Sequence, residues 1–262
     1  MKALIFEGNT KAYCENMSVK GDTPYHKKFE KTIQTINSSI VCDVDFPAEK
    51  EFVIYSVEDL EKYDFVFWTG SALNAYDKTH EVLGQIEQAK IVFDSGVPFY
   101  GSCWGMQIAV MASGGDVGVC ENGLEIGVAK NIFVTDIGKT HPFMKGRTDS
   151  SFGAYCVHSG ETKILPPVGA IVLAFNEHTK IQAIEIRHSK GVFWGVQYHP
   201  EMNALDMVEV LERNSLMYIK KNIIKNDTCC ADFIKNMSIG FEDSLTEYNR
   251  TIEFRNFIEY YM

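Results

Sequence analysis

Short runs dense in Val, Ile, Leu and aromatic residues recur along the chain, separated by stretches whose apolar positions follow a helical spacing. Residues 3–6 (ALIF), 64–68 (DFVFW), 97–100 (VPFY), 131–135 (NIFVT), 170–175 (AIVLAF), 181–186 (IQAIEI) and 192–197 (VFWGVQ) predict strands. Between the second and third, Val82, Leu83, Ile86, Ala89 and Phe93 lie at helical spacing, and Gly96 supplies a stop. Apolar strands alternating with helices imply an open α/β sheet, mostly parallel, with helices on both faces. The later strands have short connections, so that part of the sheet is expected to be mixed.

Residues 204–225 repeat apolar positions at Leu205, Val208, Leu211, Leu216, Ile219 and Ile223, with Asn203 placed to cap the helix. A further helical pattern runs from Phe241 to Tyr261. No Pro/Gly/Ser-rich linker sets 203–262 apart, so residues 1–262 read as one domain with a C-terminal helical extension packed on it. Residues 9–30 are polar and predict a mobile surface segment near the site.

Composition narrows the function class. With 262 residues, 45% hydrophobic and 23% charged, the chain has ordinary globular usage and enough length for a sizeable core. A net charge of −10 argues against general affinity for nucleic acid or an anionic membrane. No apolar stretch approaches the roughly 20 residues that span a bilayer, and the opening MKALIFEGNT lacks a signal-peptide pattern. Seven scattered cysteines without a C-x-x-C pair suit reduced thiols in the cytoplasm, with no disulfide framework and no metal site.

The segment GVPFYGSCWGMQIAVMASGG carries the most chemistry. A strand (97–100) runs into Gly101-Ser102-Cys103-Trp104-Gly105, and a helix follows from Met106 to the Gly114-Gly115 pair. This is a nucleophile elbow with cysteine in place of serine. Neighbours without a Cβ two residues either side let strand and helix pack closely around a tight turn. Cys103 at a helix N-terminus meets unpaired N–H groups that favour a thiolate.

A catalytic cysteine needs a base that is near in space. Gly195-Val196-Gln197-Tyr198-His199-Pro200-Glu201 follows an apolar strand. Pro200 biases His199 to extended backbone, where residues two apart share a side, so Glu201 can reach the imidazole. A carboxylate there orients the ring and stabilises its charged form. His26, His80, His141, His178 and His188 lack such a partner in sequence and read as structural. Cys103 and His199 both fall beyond strand carboxyl ends, where open α/β sheets place their sites.

Together, residues 101–107 (GSCWGMQ) and 195–201 (GVQYHPE) resemble the class I glutamine amidotransferase family, in motif and in order. Thr69-Gly70-Ser71 followed by Tyr76-Asp77 is similar to the free-standing branch related to the glutaminase domain of GMP synthetase. The resemblance implies a flavodoxin-like fold, a Cys103-His199-Glu201 triad and an oxyanion hole from the Gly70 and Trp104 amides. It implies glutamine contact by Gln107, and a loop at 155–161, ahead of Leu165-Pro166-Pro167, whose Val157, His158 and Ser159 hold the substrate's α-amino and carboxylate end. Relatives tend to have His-Gly-Asp where this chain has His158-Ser159-Gly160.

The implied activity is release of ammonia and glutamate from glutamine through a γ-glutamyl thioester, without metal or cofactor. No G-x-x-x-x-G-K-[ST] loop is present, so a glutaminase would hand ammonia to a separate synthetase subunit. A stand-alone γ-glutamyl hydrolase or peptidase is the next reading. A non-catalytic binding or regulatory protein is the third, against which the intact triad argues.

Overall fold

The computed structural model describes residues 1–147, 151–166 and 168–262; Pro167 of the expected substrate loop lies outside them. Its strands are β1 (Lys2–Phe6), β2 (Val41–Asp45), β3 (Phe65–Trp68), β4 (Phe99–Ser102), β5 (Asp116–Val119), β6 (Glu125–Val134), β7 (Phe152–His158), β8 (Gly160–Ile164), β9 (Ala170–Phe175), β10 (Ala183–His188) and β11 (Gly191–Val196). Nine form one sheet in the order β2-β1-β3-β4-β11-β10-β9-β6-β7, and β5 pairs with β8 in a separate ribbon. The half from β2 to β11 is parallel, and the half from β11 to β7 is antiparallel. The expected partly mixed sheet is therefore observed, split at β11.

The helices are α1 (Lys11–Val19), α2 (Tyr25–Ile36), α3 (Val57–Leu60), α4 (His80–Ser95), α5 (Trp104–Ala112), α6 (Asp136–Thr140), α7 (Ala204–Arg213), α8 (Ser215–Lys220), α9 (Cys230–Ser238), α10 (Glu247–Arg250) and α11 (Ile252–Tyr261). Successive strand residues point to opposite faces, and here both faces are apolar. Ala3, Ile5, Phe65, Phe67 and Trp194 meet Phe29 and Ile33 of α2 and Phe254 and Phe257 of α11. Leu4, Phe6, Val66, Trp68 and Phe193 meet Val82, Ile86 and Phe93 of α4 and Met106 and Ile108 of α5. Burial on both sides is why these strands read as unbroken apolar runs.

Several expectations are corrected. Residues 9–30 hold α1 and the start of α2. Tyr25, His26, Phe29, Thr32 and Ile33 make a buried helical stripe that interspersed lysines disguise, and Lys28 is itself buried against Asp206. The loop expected at 155–161 is mostly strand: β7 and β8 are separated by Ser159 alone. The helix expected over 204–225 breaks at Asn214 into α7 and α8, although Asn203 caps it through Leu205 and Asp206 as expected. The pattern from Phe241 becomes helix only at Glu247. The strand expected at 97–100 lies at 99–102, and the following helix opens at Trp104 instead of Met106.

Candidate active site

The register of the central strands builds the site. In the parallel pair β4–β11, Ser102 stands beside Val196, and in β3–β4, Trp68 stands beside Gly101. The residues just past these ends, Gly70, Cys103 and His199, therefore converge at one edge of the sheet. The Cys103 N–H donates to the Val196 carbonyl at 2.8 Å, tying elbow to neighbouring strand.

Cys103 is the single residue between β4 and α5, with φ 50° and ψ −100°. Backbone held there costs a non-glycine residue about 1–3 kcal/mol. The flanking glycines have the steric role their spacing implies. A Cβ on Gly101 would lie 2.7 Å from the Gly105 carbonyl carbon, and one on Gly105 would lie 2.5 Å from the Trp68 carbonyl oxygen.

The His199 backbone N–H donates to the Tyr155 carbonyl at 2.7 Å. Its Nδ1 lies 2.6 Å from Glu201 Oε1, and both side chains are almost fully buried. Ser102 Oγ donates to the two Glu201 oxygens at 3.2 and 3.1 Å. His199 Nε2 is buried and closes no hydrogen bond among the described residues. Burial pulls the imidazole pKa down, but the Glu201 charge, the nearby Cys103 sulfur and the Glu201 hydrogen bond outweigh it and push it up to about 10. The ring is thus held as an imidazolium with its Nε2–H free.

Two residues fix the imidazole plane. The Tyr25 ring stacks on it with centroids 6.0 Å apart and planes 17° off parallel. A Cβ on Gly70 would lie 2.8 Å from His199 Cε1. The Gly70 N–H donates to no protein group among the described residues, and Trp104 opens α5, where first-turn amides have no partner within the helix. Gly70 precedes Ser71 and is not itself among the cleft-lining residues, whereas Ser71, Ala72 and Trp104 are. The Trp104 indole donates to Gln85 Oε1 at 2.8 Å, which also accepts from the Trp68 indole at 3.0 Å.

The cleft encloses about 480 Å³ and takes its other wall from Gln107, Val157, His158 and Ser159. The structure therefore brings the expected substrate residues together with Cys103. Gln107 Nε2 donates to the Gly160 carbonyl at 3.1 Å, and the Cys103 thiol approaches the Val157 carbonyl at 3.8 Å. His158 is held behind this wall by Glu125 at 2.8 Å and the Gly160 carbonyl at 3.0 Å. A Cβ at residue 160 would approach Gln107 Oε1 to 3.2 Å, a local reason for glycine there.

Tyr25, Ser102 and Gln85 were missed in the sequence; only Ser102, inside the motif itself, carried a signal. The expectation that no metal-ligating cluster exists also needs correction. Glu7, Cys14 and His26 bring ligand atoms within 4.8 Å of one another. Glu7 is already engaged, however, by Asn9, Thr69 and His26. It ties α2 to the Thr69-Gly70 turn.

A sheet with this strand order and a cysteine elbow facing a His-x-Glu strand end defines a class I glutamine amidotransferase-like protein. The chain belongs to that family: the model for glutamine amidotransferase class-I matches residues 25–217. Among its relatives, a γ-glutamyl-L-1-hydroxyisopropylamide hydrolase of a Pseudomonas species is 38% identical over 221 residues, covering 82% of this chain and 72% of that protein. A glutamine-hydrolyzing GMP synthase of Blochmanniella floridana is 28% identical over 153 residues, 52% of this chain and 28% of that protein. A glutamine amidotransferase structure from Thermotoga maritima superposes with a TM-score of 0.70 at 17% identity, covering 100% of this chain and 97% of the other. Family and relatives support an enzyme. No helix among the described residues is long and apolar enough to cross a membrane.

Proposed function

We propose that this chain hydrolyses γ-glutamyl amides through a thioester on Cys103, with residues 1–262 acting as one domain. Cys103 sulfur attacks the γ-carbonyl carbon, and the amides of Gly70 and Trp104 take the oxyanion. Collapse breaks the C–N bond as His199 Nε2 gives its proton to the leaving nitrogen. Water then loses a proton to His199 and attacks the thioester, releasing glutamate and the thiolate. Glu201, steadied by Ser102, orients the imidazole and balances its charge. Gln107 and the 157–159 edge hold the glutamyl end.

The observation that carries this reading is the buried, unpaired Nε2 of His199 near Cys103, with Glu201 holding Nδ1 behind it. The family resemblance alone favours a glutaminase over a stand-alone hydrolase. Two observations reverse that order: the 38% identical relative is a γ-glutamyl amide hydrolase, and the cleft runs past Cys103 to a wall of α7 and α8, leaving room for a substituent on the nitrogen. The match to a GMP synthase supports a second reading, ammonia delivery from glutamine to a separate synthetase. Seven unpaired thiols suit the reducing cytoplasm for either.

Purified protein incubated with glutamine and with γ-glutamyl amides, with no partner added, separates them by glutamate release. Release from substituted amides, lost in Cys103→Ala, supports the hydrolase. Turnover of glutamine alone, rising with a co-purifying synthetase, supports the second reading. No release, and no labelling of Cys103 by a glutamine-like electrophile, removes both.

A further inference from the structure

The cleft has a second half that the glutamyl group does not use. The leaving nitrogen takes its proton from His199 Nε2, so any substituent on it extends along the imidazole side, where Tyr25 covers the ring. Beyond Tyr25 the wall is Tyr13 from α1 and Arg213, Met217 and Tyr218 from α7 and α8. Arg213, paired from behind by Asp22, and Lys221 bring positive groups to this wall, and among the described residues no Asp or Glu lines the cleft, although the protein as a whole carries −10.

Arg213 is unusual within that wall. Its side chain is only 10% exposed, and Asp22 fixes it through Nη1. Its Nε is buried without a partner among the described residues, and Nη2 has no protein partner there either. The Nε–Nη2 edge is one that a carboxylate takes with two parallel hydrogen bonds. A buried guanidinium held at one end, with the rest of its fork unpaired by protein, has the geometry to bind a carboxylate. Burial keeps the Tyr25 hydroxyl well above its ordinary pKa despite the opposing pull of Arg213, so it stands beside the guanidinium as a neutral donor.

We propose that Arg213, with Tyr25 and Tyr13, forms a leaving-group subsite that reads a carboxylate, so that the preferred substrates are γ-glutamyl amino acids and short γ-glutamyl peptides. This rests on the hydrolase reading above and narrows it. A free carboxylate on the departing amine gains both open N–H groups of Arg213. A neutral hydroxymethyl group in the same place gains one bond, and the ammonia of glutamine gains none.

The test compares four substrates: γ-glutamyl-L-alanine, γ-glutamyl-L-alaninamide, the L-1-hydroxyisopropylamide (the same skeleton with the carboxylate reduced) and glutamine. In the wild-type protein kcat/KM for γ-glutamyl-L-alanine should exceed that for the hydroxyisopropylamide by about 10- to 100-fold, the worth of one charge-assisted pair. In Arg213→Gln that ratio should fall close to one, and Arg213→Lys, which keeps charge but lacks the fork, should restore it only in part. Equal cleavage of the acid and its neutral analogues by the wild type would overturn the subsite, whether or not Arg213→Gln folds. So would a uniform loss on all four substrates in a folded variant. Absence of glutamate release from every substrate would instead remove the hydrolase reading.

Discussion

Gly70 lies against the edge of the His199 imidazole, so close that a Cβ at Gly70 would stand 2.8 Å from Cε1. Tyr25 covers a face of the same ring, leaving it little freedom to move. Its position is therefore set by packing as much as by the Glu201 hydrogen bond.

Gly70→Ala should accordingly fold, since its Cβ meets a side chain instead of backbone, yet displace the imidazole from Cys103. A misplacement of that order costs about 100-fold in kcat. Steady-state kinetics beside an unchanged far-ultraviolet circular dichroism spectrum checks this; undiminished kcat would show the ring is held elsewhere.

The Glu201 contact predicts a pH signature. His199 keeps its proton through neutral pH and loses it near pH 10. Glu201→Gln removes the largest favourable charge, leaving burial to dominate, so the alkaline limb of kcat/KM should move down toward or below the ordinary histidine value of about 6.5. The sign for stability follows. The folded pKa lies above the unfolded one, so the stabilisation is complete below about 6.5 and is lost as the pH rises through about 10. Thermal melts of wild type and Glu201→Gln should therefore differ most below about pH 6.5 and converge above pH 10.

The elbow glycines predict a different failure. A Cβ on Gly105 meets the Trp68 backbone at 2.5 Å, and backbone cannot step aside as a side chain can. Gly105→Ala should lose stability by about 1–3 kcal/mol, read as an earlier urea midpoint, with Cys103 labelling slowed.

Gln85 is expected to support Trp104. Its Oε1 accepts two buried indole N–H groups, so Gln85→Leu strands both, each at a cost of about 1–3 kcal/mol. Thermal unfolding should register the loss, and kcat should fall with it as the Trp104 turn loosens.

How much of this was legible in the chain follows from what each residue does. Strands such as Phe65–Trp68 read cleanly because apolar side chains face helices on both sides, and Cys103 and His199 read because their chemistry sits in compact motifs. β7 escaped because its FGAYCVH mixes glycine and small residues, and Gly153 takes the Phe241 ring against its backbone. Tyr25 and Arg213 escaped for another reason. Tyr25 lies in a polar-looking stretch and Arg213 between the apolar positions of its helix, both away from the motifs, and only the docking of α2 and α7 brings them to the cleft.

The central claim is that the γ-glutamyl group is carried on the Cys103 sulfur. Rapid acid quenching of the protein during turnover of a γ-glutamyl amide, followed by peptide mass analysis, reads it directly. The account predicts one added glutamyl group on the peptide containing Cys103, abolished in Cys103→Ala together with turnover. Sustained turnover by Cys103→Ala would contradict it.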